Sequence, residues 1–326
     1  MKSCLETKMT ISIIICTYNR CESLKDTLDS LLNQENDGSL DCEVIVVDNN
    51  SKDKTKETIE HYLSQFNGRL RYVLELNQGL SYARNRGIKE SKGHIVAFTD
   101  DDVILDKNWL NNIARCFNDY HCDGIGGRIL PLYNKNTPQW IKENNDILNG
   151  PILLYDYGEN VTSYRAAELL PFFGANMAYK RECFARFGLF RTDLGVGQGK
   201  IGEDTEFFKR LEKAKMNLYY CGNALVWHKV KNSRLTLKYI AKWWIASGRY
   251  AVTKDFGEIG KNTICYSGIP RWLIKEALKD SFSIIKNIFH KRRFLKAWIM
   301  AFWNIGRILE HRKIYHAGNQ RNYRHS

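Results

Sequence analysis

Apolar positions over the first hundred residues fall into two alternating rhythms. Nearly uninterrupted runs at Thr10–Cys16 (TISIIIC), Glu43–Val47 (EVIVV) and His94–Thr99 predict buried strands, covered on both faces, and Leu70–Leu74 predicts a further strand among them. Between them Leu24, Leu28, Leu31 and Leu32 recur at i, i+4, i+7 and i+8, a helical stripe. A polar-faced helix is predicted over 54–65. Another runs from Ser81 to about Glu90, with Gly93 as its stop. Such alternation predicts an α/β sheet of mostly parallel strands flanked by helices. Further along, the pattern predicts a helix over 109–117 and strands over 124–129 and 172–179. Glu203-Asp204 opens a helix carrying Phe207, Phe208 and Leu211. Two short strands, 217–221 and 224–227, then end at His228. Residues 131–170 show no regular period, and helical patterns dominate beyond His228.

Composition divides the chain at that point. With 326 residues and 44% hydrophobic content there is material for one large domain, residues 1–230, and an appendage, 231–326. The net charge of +13 is uneven. Residues 1–228 carry 28 Lys and Arg against 31 Asp and Glu, whereas residues 229–326 carry 21 against 5. Nine cysteines without a C-x-x-C pair fit reduced thiols in a cytoplasmic protein. The apolar run 9–16 is too short for a signal peptide, and no stretch of about 18 apolar residues predicts a membrane span.

The appendage interleaves Trp272, Phe282, Phe289, Trp298, Phe302 and Trp303 with Lys279, Lys286, Lys291, Arg292, Arg293, Lys296 and Arg307. That mixture suits helices lying on an anionic membrane surface, here the inner face of the cell membrane. The same aromatics would also serve for packing on the first domain, with Trp243 and Trp244 bordering an acceptor. Charge alone permits nucleic acid, but no recognition motif accompanies it, so none is expected.

Candidate chemistry collects at strand ends, where open α/β sheets bind ligands. Thr17-Tyr18-Asn19-Arg20 follows the first strand, Asp48 the second, Asn77 the third, and Asp100-Asp101-Asp102 the fourth. Three carboxylates forced together call for a cation, and Mg2+ or Mn2+ bridging phosphates answers that need. An acidic turn is equally compatible with a solvated loop or a helix cap. A crevice of this kind suits a nucleoside diphosphate, with Tyr18 beside the base and Asp48 holding a base or ribose donor. Gly197, Gly199 and Gly202 satisfy G-x-G-x-x-G, yet no clear strand precedes them. A loop that orders around the donor is the better reading than a dinucleotide fingerprint.

The strings SIIICTYNR, VIVVDNNSKDKT, NQGLSYARNRGI, IVAFTDDD, GANMAYKRE and GEDTEFFKRL, in order over about residues 10–228, resemble family-2 glycosyltransferases of the GT-A fold. The resemblance implies a Rossmann-like sheet and an inverting, metal-dependent sugar transfer. The donor would be a nucleotide-diphosphate sugar, by default a UDP-sugar. The acceptor would be a saccharide or lipid-linked saccharide in cell-surface polysaccharide or glycolipid synthesis.

It further implies that Thr17, Tyr18 and Asp48 meet the nucleoside, with Asn19 and Asn77 beside them and Arg84 near base or phosphates. Asp100 and Asp102 would match D-x-D, with Asp102 the direct metal ligand and Asp101 between them. Asp204, next to Glu203, would be the catalytic base. His228 would be a third metal ligand or a structural strand-end histidine. Asn176 would line the sugar or acceptor pocket, unless it is a turn asparagine; Arg84 would otherwise be a helix-surface arginine. A sugar nucleotidyltransferase, which would carry a Gly-rich loop after the first strand, and a non-catalytic nucleotide-sugar or nucleic-acid binding module are the alternatives.

Overall fold

The fold follows from where the uninterrupted apolar runs can hide. A computed structural model describes residues 9–35, 40–197, 201–255 and 264–323. In the first half β1 (Thr10–Thr17), α1 (Cys21–Leu32), β2 (Asp41–Asp48), α2 (Thr55–Leu63), β3 (Leu70–Leu74), α3 (Leu80–Glu90) and β4 (Ile95–Asp100) alternate as the periodicity predicts. There follow β5 (Val103–Leu105), α4 (Trp109–Tyr120), β6 (Gly124–Leu132), α5 (Gln139–Lys142), α6 (Asn149–Ile152), β7 (Val161–Ser163), β8 (Asn176–Lys180), α7 (Arg181–Phe187), α8 (Glu203–Lys213) and β9 (Leu218–Lys229). The chain closes with α9 (Leu237–Asp255), β10 (Cys265–Tyr266), β11 (Ile269–Pro270), α10 (Arg271–Lys286) and α11 (Lys291–Tyr323).

Nine strands form one mixed sheet in the order β3-β2-β1-β4-β8-β6-β9-β5, with β7 on β9. The long ladders are parallel: eight residue pairs join β1 to β2 and nine join β6 to β9. Ile11, Ile13 and Ile15 of β1 belong to a core cluster with Leu24 and Leu28 of α1, while Ile14 belongs to another with Ala83 and Ile88 of α3. Burial on both faces explains why these strands show no polar alternation.

Three local expectations need correction. The two strands expected at 217–221 and 224–227 are one, β9, because the pairing jumps from Gly127 opposite Cys221 to Arg128 opposite Leu225 and residues 222–224 bulge out of the ladder without ending the strand. Strand β8 starts only at Asn176, since Gly174 and Ala175 lie in a turn. The irregular 131–170 region holds the end of β6, the short helices α5 and α6, and β7.

The chain divides into two compact units, one of residues 1–134, 153–198 and 203–230, the other of 135–152, 199–202 and 231–326. The second is helical. In it α9 and α11 approach backbone to backbone, since a Cβ on Gly248 would meet the Trp303 carbonyl and one on Gly306 the Ile245 carbonyl. Trp243 lies over Gly150 of α6 within the same unit.

Candidate active site

Parallel register sets the strand ends side by side. Thr17 is paired with Asp48 across β1 and β2, and Cys16 with Asp100 across β1 and β4. Val103, one residue past the triple aspartate, is opposite His228 on β9. Sequence positions more than two hundred residues apart, Thr17 and His228, thus meet at the carboxyl end of the sheet.

The three aspartates have different surroundings. Asp101 accepts from the Thr17 hydroxyl at 2.7 Å and from Arg20 at 2.8 Å, and the same Arg20 nitrogen donates to Asp102 Oδ2 at 2.9 Å. Asp101 and Asp102 are buried, whereas Asp100 keeps 27% of its side chain exposed and faces Arg84 at 4.0 Å. Burial pushes the Asp101 carboxyl up to about 6, against the pull of Arg20 and with Asp102 adding to the rise. Asp100 is raised by desolvation first and by Asp102 second. Charge is therefore concentrated here beyond what the two arginines relieve.

His228 Nε2 lies 3.4 Å from Asp102 Oδ1, and both side chains are fully buried. Adjacent donors on an octahedral ion with bonds of about 2.1 Å sit about 3.0 Å apart, so this pair fits two vertices of one divalent cation. Among the described residues no three His, Cys, Asp or Glu side chains converge on such a point. Asp100, expected in the ligand set, stands 4.0 Å from Arg84 and within reach of the charges of Asp102 and His228. Mg2+ and Mn2+ commonly use few protein ligands and fill the remainder with phosphate oxygens and water.

Arg84 is not a helix-surface arginine. It is buried on α3, donates to Glu203 Oε1 at 2.6 Å, and stacks 5.6 Å from the Phe190 ring centre. Gly174 closes over it so tightly that a Cβ there would fall on the guanidinium. Glu203, also buried, has its carboxyl raised by desolvation and by Asp204, with Arg84 opposing. Asp204 stands in the first turn of α8, its Oδ2 accepting from the Gly174 amide at 2.9 Å and its Oδ1 from the Thr205 amide at 2.7 Å. The buried guanidinium thereby ties the acidic end of β4 to the start of α8.

On the nucleoside side, Asp48 accepts from the Ser51 amide at 2.9 Å and from the Tyr72 hydroxyl at 3.0 Å, leaving lone pairs on both oxygens. Burial and Asp48 hold the Tyr72 phenol protonated, its pKa pushed up to about 12. Asn19, at φ 52°, accepts from the Lys52 amide and donates its own amide to Ser51, clipping the two loops together. Tyr18 beside it is 47% exposed, a ring open to stacking. Asn77 folds its amide back onto Glu75 at 2.8 Å.

Asn176, expected at the pocket, has a different task. It is 1% exposed; its oxygen accepts from the Trp109 indole at 2.9 Å, and its amide donates to the carbonyls of Arg128 and Ala224. It spans the bulge between β6 and β9.

Two residues do more than the sequence alone assigns them. Arg20, a candidate only as the end of Thr17-Tyr18-Asn19-Arg20, is the cation that holds Asp101 and Asp102, and a cation directly after a strand whose neighbour ends in three aspartates is a readable signal. Asn49 donates to the carbonyls of Glu75 and Asn77 and accepts from the Gly79 amide, setting the turn into α3. Of the glycine-rich loop, 198–200 lie outside the described residues. Its earlier part is anchored by Ser81 on the Leu194 carbonyl and the Leu80 amide on that of Val196.

The profile described as Glycosyl transferase family 2 matches residues 12–188, more than half of the chain. The chain belongs to that family. This glycosyltransferase is 27% identical over 239 residues to the succinoglycan biosynthesis protein ExoM of Rhizobium meliloti (strain 1021), covering 73% of each chain. It is 27% identical over 190 residues to a glucosyl-dolichyl phosphate glucuronosyltransferase of Haloferax volcanii, covering 57% of this chain and 58% of the other. Among solved structures, the mannosyltransferase PcManGT of Pyrobaculum calidifontis, in complex with GDP-Man and Mn2+, superposes with a TM-score of 0.61 at 17% identity, over 92% of this chain and 86% of that one. Residues 1–349 of TarS from S. aureus with UDP-GlcNAc give 0.55 at 16%, over 95% and 92%. The fold of the glycosyltransferase is GT-A, as the sequence resemblance implies.

Proposed function

We propose that this glycosyltransferase moves a sugar from a nucleotide-diphosphate sugar, by default a UDP-sugar, to a hydroxyl of a saccharide or lipid-linked saccharide acceptor, with inversion at the anomeric carbon. Synthesis of a cell-surface polysaccharide or glycolipid is the setting; the relative named for succinoglycan biosynthesis supports it. The observation that carries the reading is the buried Arg84 link between Asp100, at the end of β4, and Glu203, next to Asp204. One carboxylate so placed suffices: Asp204 takes the acceptor hydroxyl's proton as that oxygen attacks opposite the departing diphosphate. Two backbone amides hold its carboxylate without using all its lone pairs.

Tyr18 stacks on the base, and Asp48 and Thr17 border the nucleoside. Asp102 and His228 would hold a divalent cation, which when bound stabilises negative charge on the leaving diphosphate. The neighbour solved with GDP-Man and Mn2+ supports that assignment. Arg20 keeps Asp102 in place through its bond to Oδ2.

The test pairs Asp204→Asn with wild type. Thermal shift against a panel of nucleotide sugars with and without Mn2+ reads donor binding, and nucleoside diphosphate release reads transfer. Donor-induced stabilisation should persist in the variant while turnover falls by about 100-fold or more. Equal turnover would place the base elsewhere.

A further inference from the structure

Within the C-terminal unit, α10 buries only Leu273. Leu278, Phe282 and Ile285, each 66–70% exposed, follow at i, i+4 and i+7. At 100° per residue they occupy an arc of about 60°. Past the helix end Ile288 is 61% exposed and Phe289 is 92% exposed. A run of bulky apolar groups along one exposed helix face marks an interaction surface.

Charge identifies the occupant. Lys275, Lys279 and Lys286 flank the stripe on one side by helical position, and Lys291, Arg293 and Lys296 open α11 just beyond it; all six are exposed. The acidic residues of α10 are engaged with α11: Glu276 accepts from Arg307 at 2.9 Å and Asp280 from Asn304 at 2.7 Å. The tryptophans named from the sequence are partly consumed in the same packing, since Arg307 lies 4.7 Å from the Trp272 ring centre and 4.4 Å from that of Trp303. The exposed stripe therefore combines apolar side chains with cations alone. Among the described residues no helix is long and apolar enough to cross a membrane, so a helix using this stripe lies on the bilayer.

We infer that α10 docks on an anionic phospholipid surface, with Leu278, Phe282, Ile285 and Phe289 entering the headgroup–acyl boundary and the lysines at phosphate level. Long lysine stems reach the headgroups while their methylenes cover the apolar edge. The inference stands apart from the choice of donor or base. It concerns how the molecule meets its surroundings, and no catalytic residue takes part.

The test is flotation of the full chain with vesicles of phosphatidylglycerol and phosphatidylcholine, against vesicles of phosphatidylcholine alone. Wild type should float with the anionic vesicles and bind less at high salt. Each change among Leu278→Gln, Phe282→Gln and Ile285→Gln should weaken partitioning about tenfold or more. Lys279→Gln or Lys286→Gln should weaken it about fivefold each. All five side chains are solvent-facing, so thermal midpoints and transfer to a soluble acceptor should not move. Undiminished flotation of the triple glutamine variant, or absence of binding to anionic vesicles, overturns the inference. So does concentration-dependent self-association in analytical ultracentrifugation that the triple variant abolishes, which would show a second copy of the chain on the stripe.

Discussion

Replacing Arg84 by methionine keeps the length of the side chain and deletes its charge. Glu203 then stays buried beside Asp204 with its 2.6 Å partner gone, and Asp100 loses the cation 4.0 Å away. Breaking one side of a buried ion pair costs about 3–5 kcal/mol, because the remaining charge is uncompensated. The acid dependence follows from Glu203, whose folded pKa already lies above its ordinary 4.5 through burial and Asp204, with Arg84 opposing. Without Arg84 it rises further. The folded state then holds a proton that the unfolded chain releases, so stability falls as pH rises from about 4.5 through the folded value. The deficit of Arg84→Met should therefore be large at pH 7.5 and smaller at pH 5.5.

Urea unfolding followed by tryptophan fluorescence at both pH values measures this, and a double-mutant cycle with Glu203→Gln isolates the pair. The double variant should be more stable than Arg84→Met alone by about 2 kcal/mol. A single variant within about 1 kcal/mol of wild type at pH 7.5, or strictly additive effects, would refute the view that this guanidinium neutralises a buried carboxylate.

Other perturbations test neighbouring parts of the same arrangement. Gly174→Ala drives a Cβ into the Arg84 guanidinium and should cost about 1–3 kcal/mol in urea unfolding, with part of the loss relieved when Arg84→Met is present. Asn176→Leu leaves the Trp109 indole and the carbonyls of Arg128 and Ala224 without their partner, so the thermal midpoint should drop by several degrees, at about 1–3 kcal/mol per stranded group. Asp102→Asn should remove the added thermal stabilisation that Mn2+ gives with a nucleoside diphosphate. Asp101→Asn, whose carboxylate holds Thr17 and Arg20, should lower the starting midpoint and keep the Mn2+ increment.

What was legible in the sequence divides along the range of the interactions. Strands β1, β2 and β4 announce themselves because each is buried on both faces over most of its length, and that burial is written in consecutive residues such as Ile13, Ile14 and Ile15. The position of Thr17, Asp48 and Asp100 at one end of the sheet follows from parallel topology alone. Charge compensation is different, because its partners lie far apart in sequence. Arg20 reaches across 81 positions to Asp101, and Arg84 across 119 to Glu203. Nothing local distinguishes Arg84 from the exposed Arg86 two residues on. Asn176 misled for the same reason: Gly-Ala-Asn reads as an open turn until the bulge in β9 brings the Ala224 carbonyl beside that of Arg128 and both face its amide. An aspartate-rich strand end states only that cations are required. Which arginines supply part of that requirement depends on α3 and α8 arriving from distant parts of the chain.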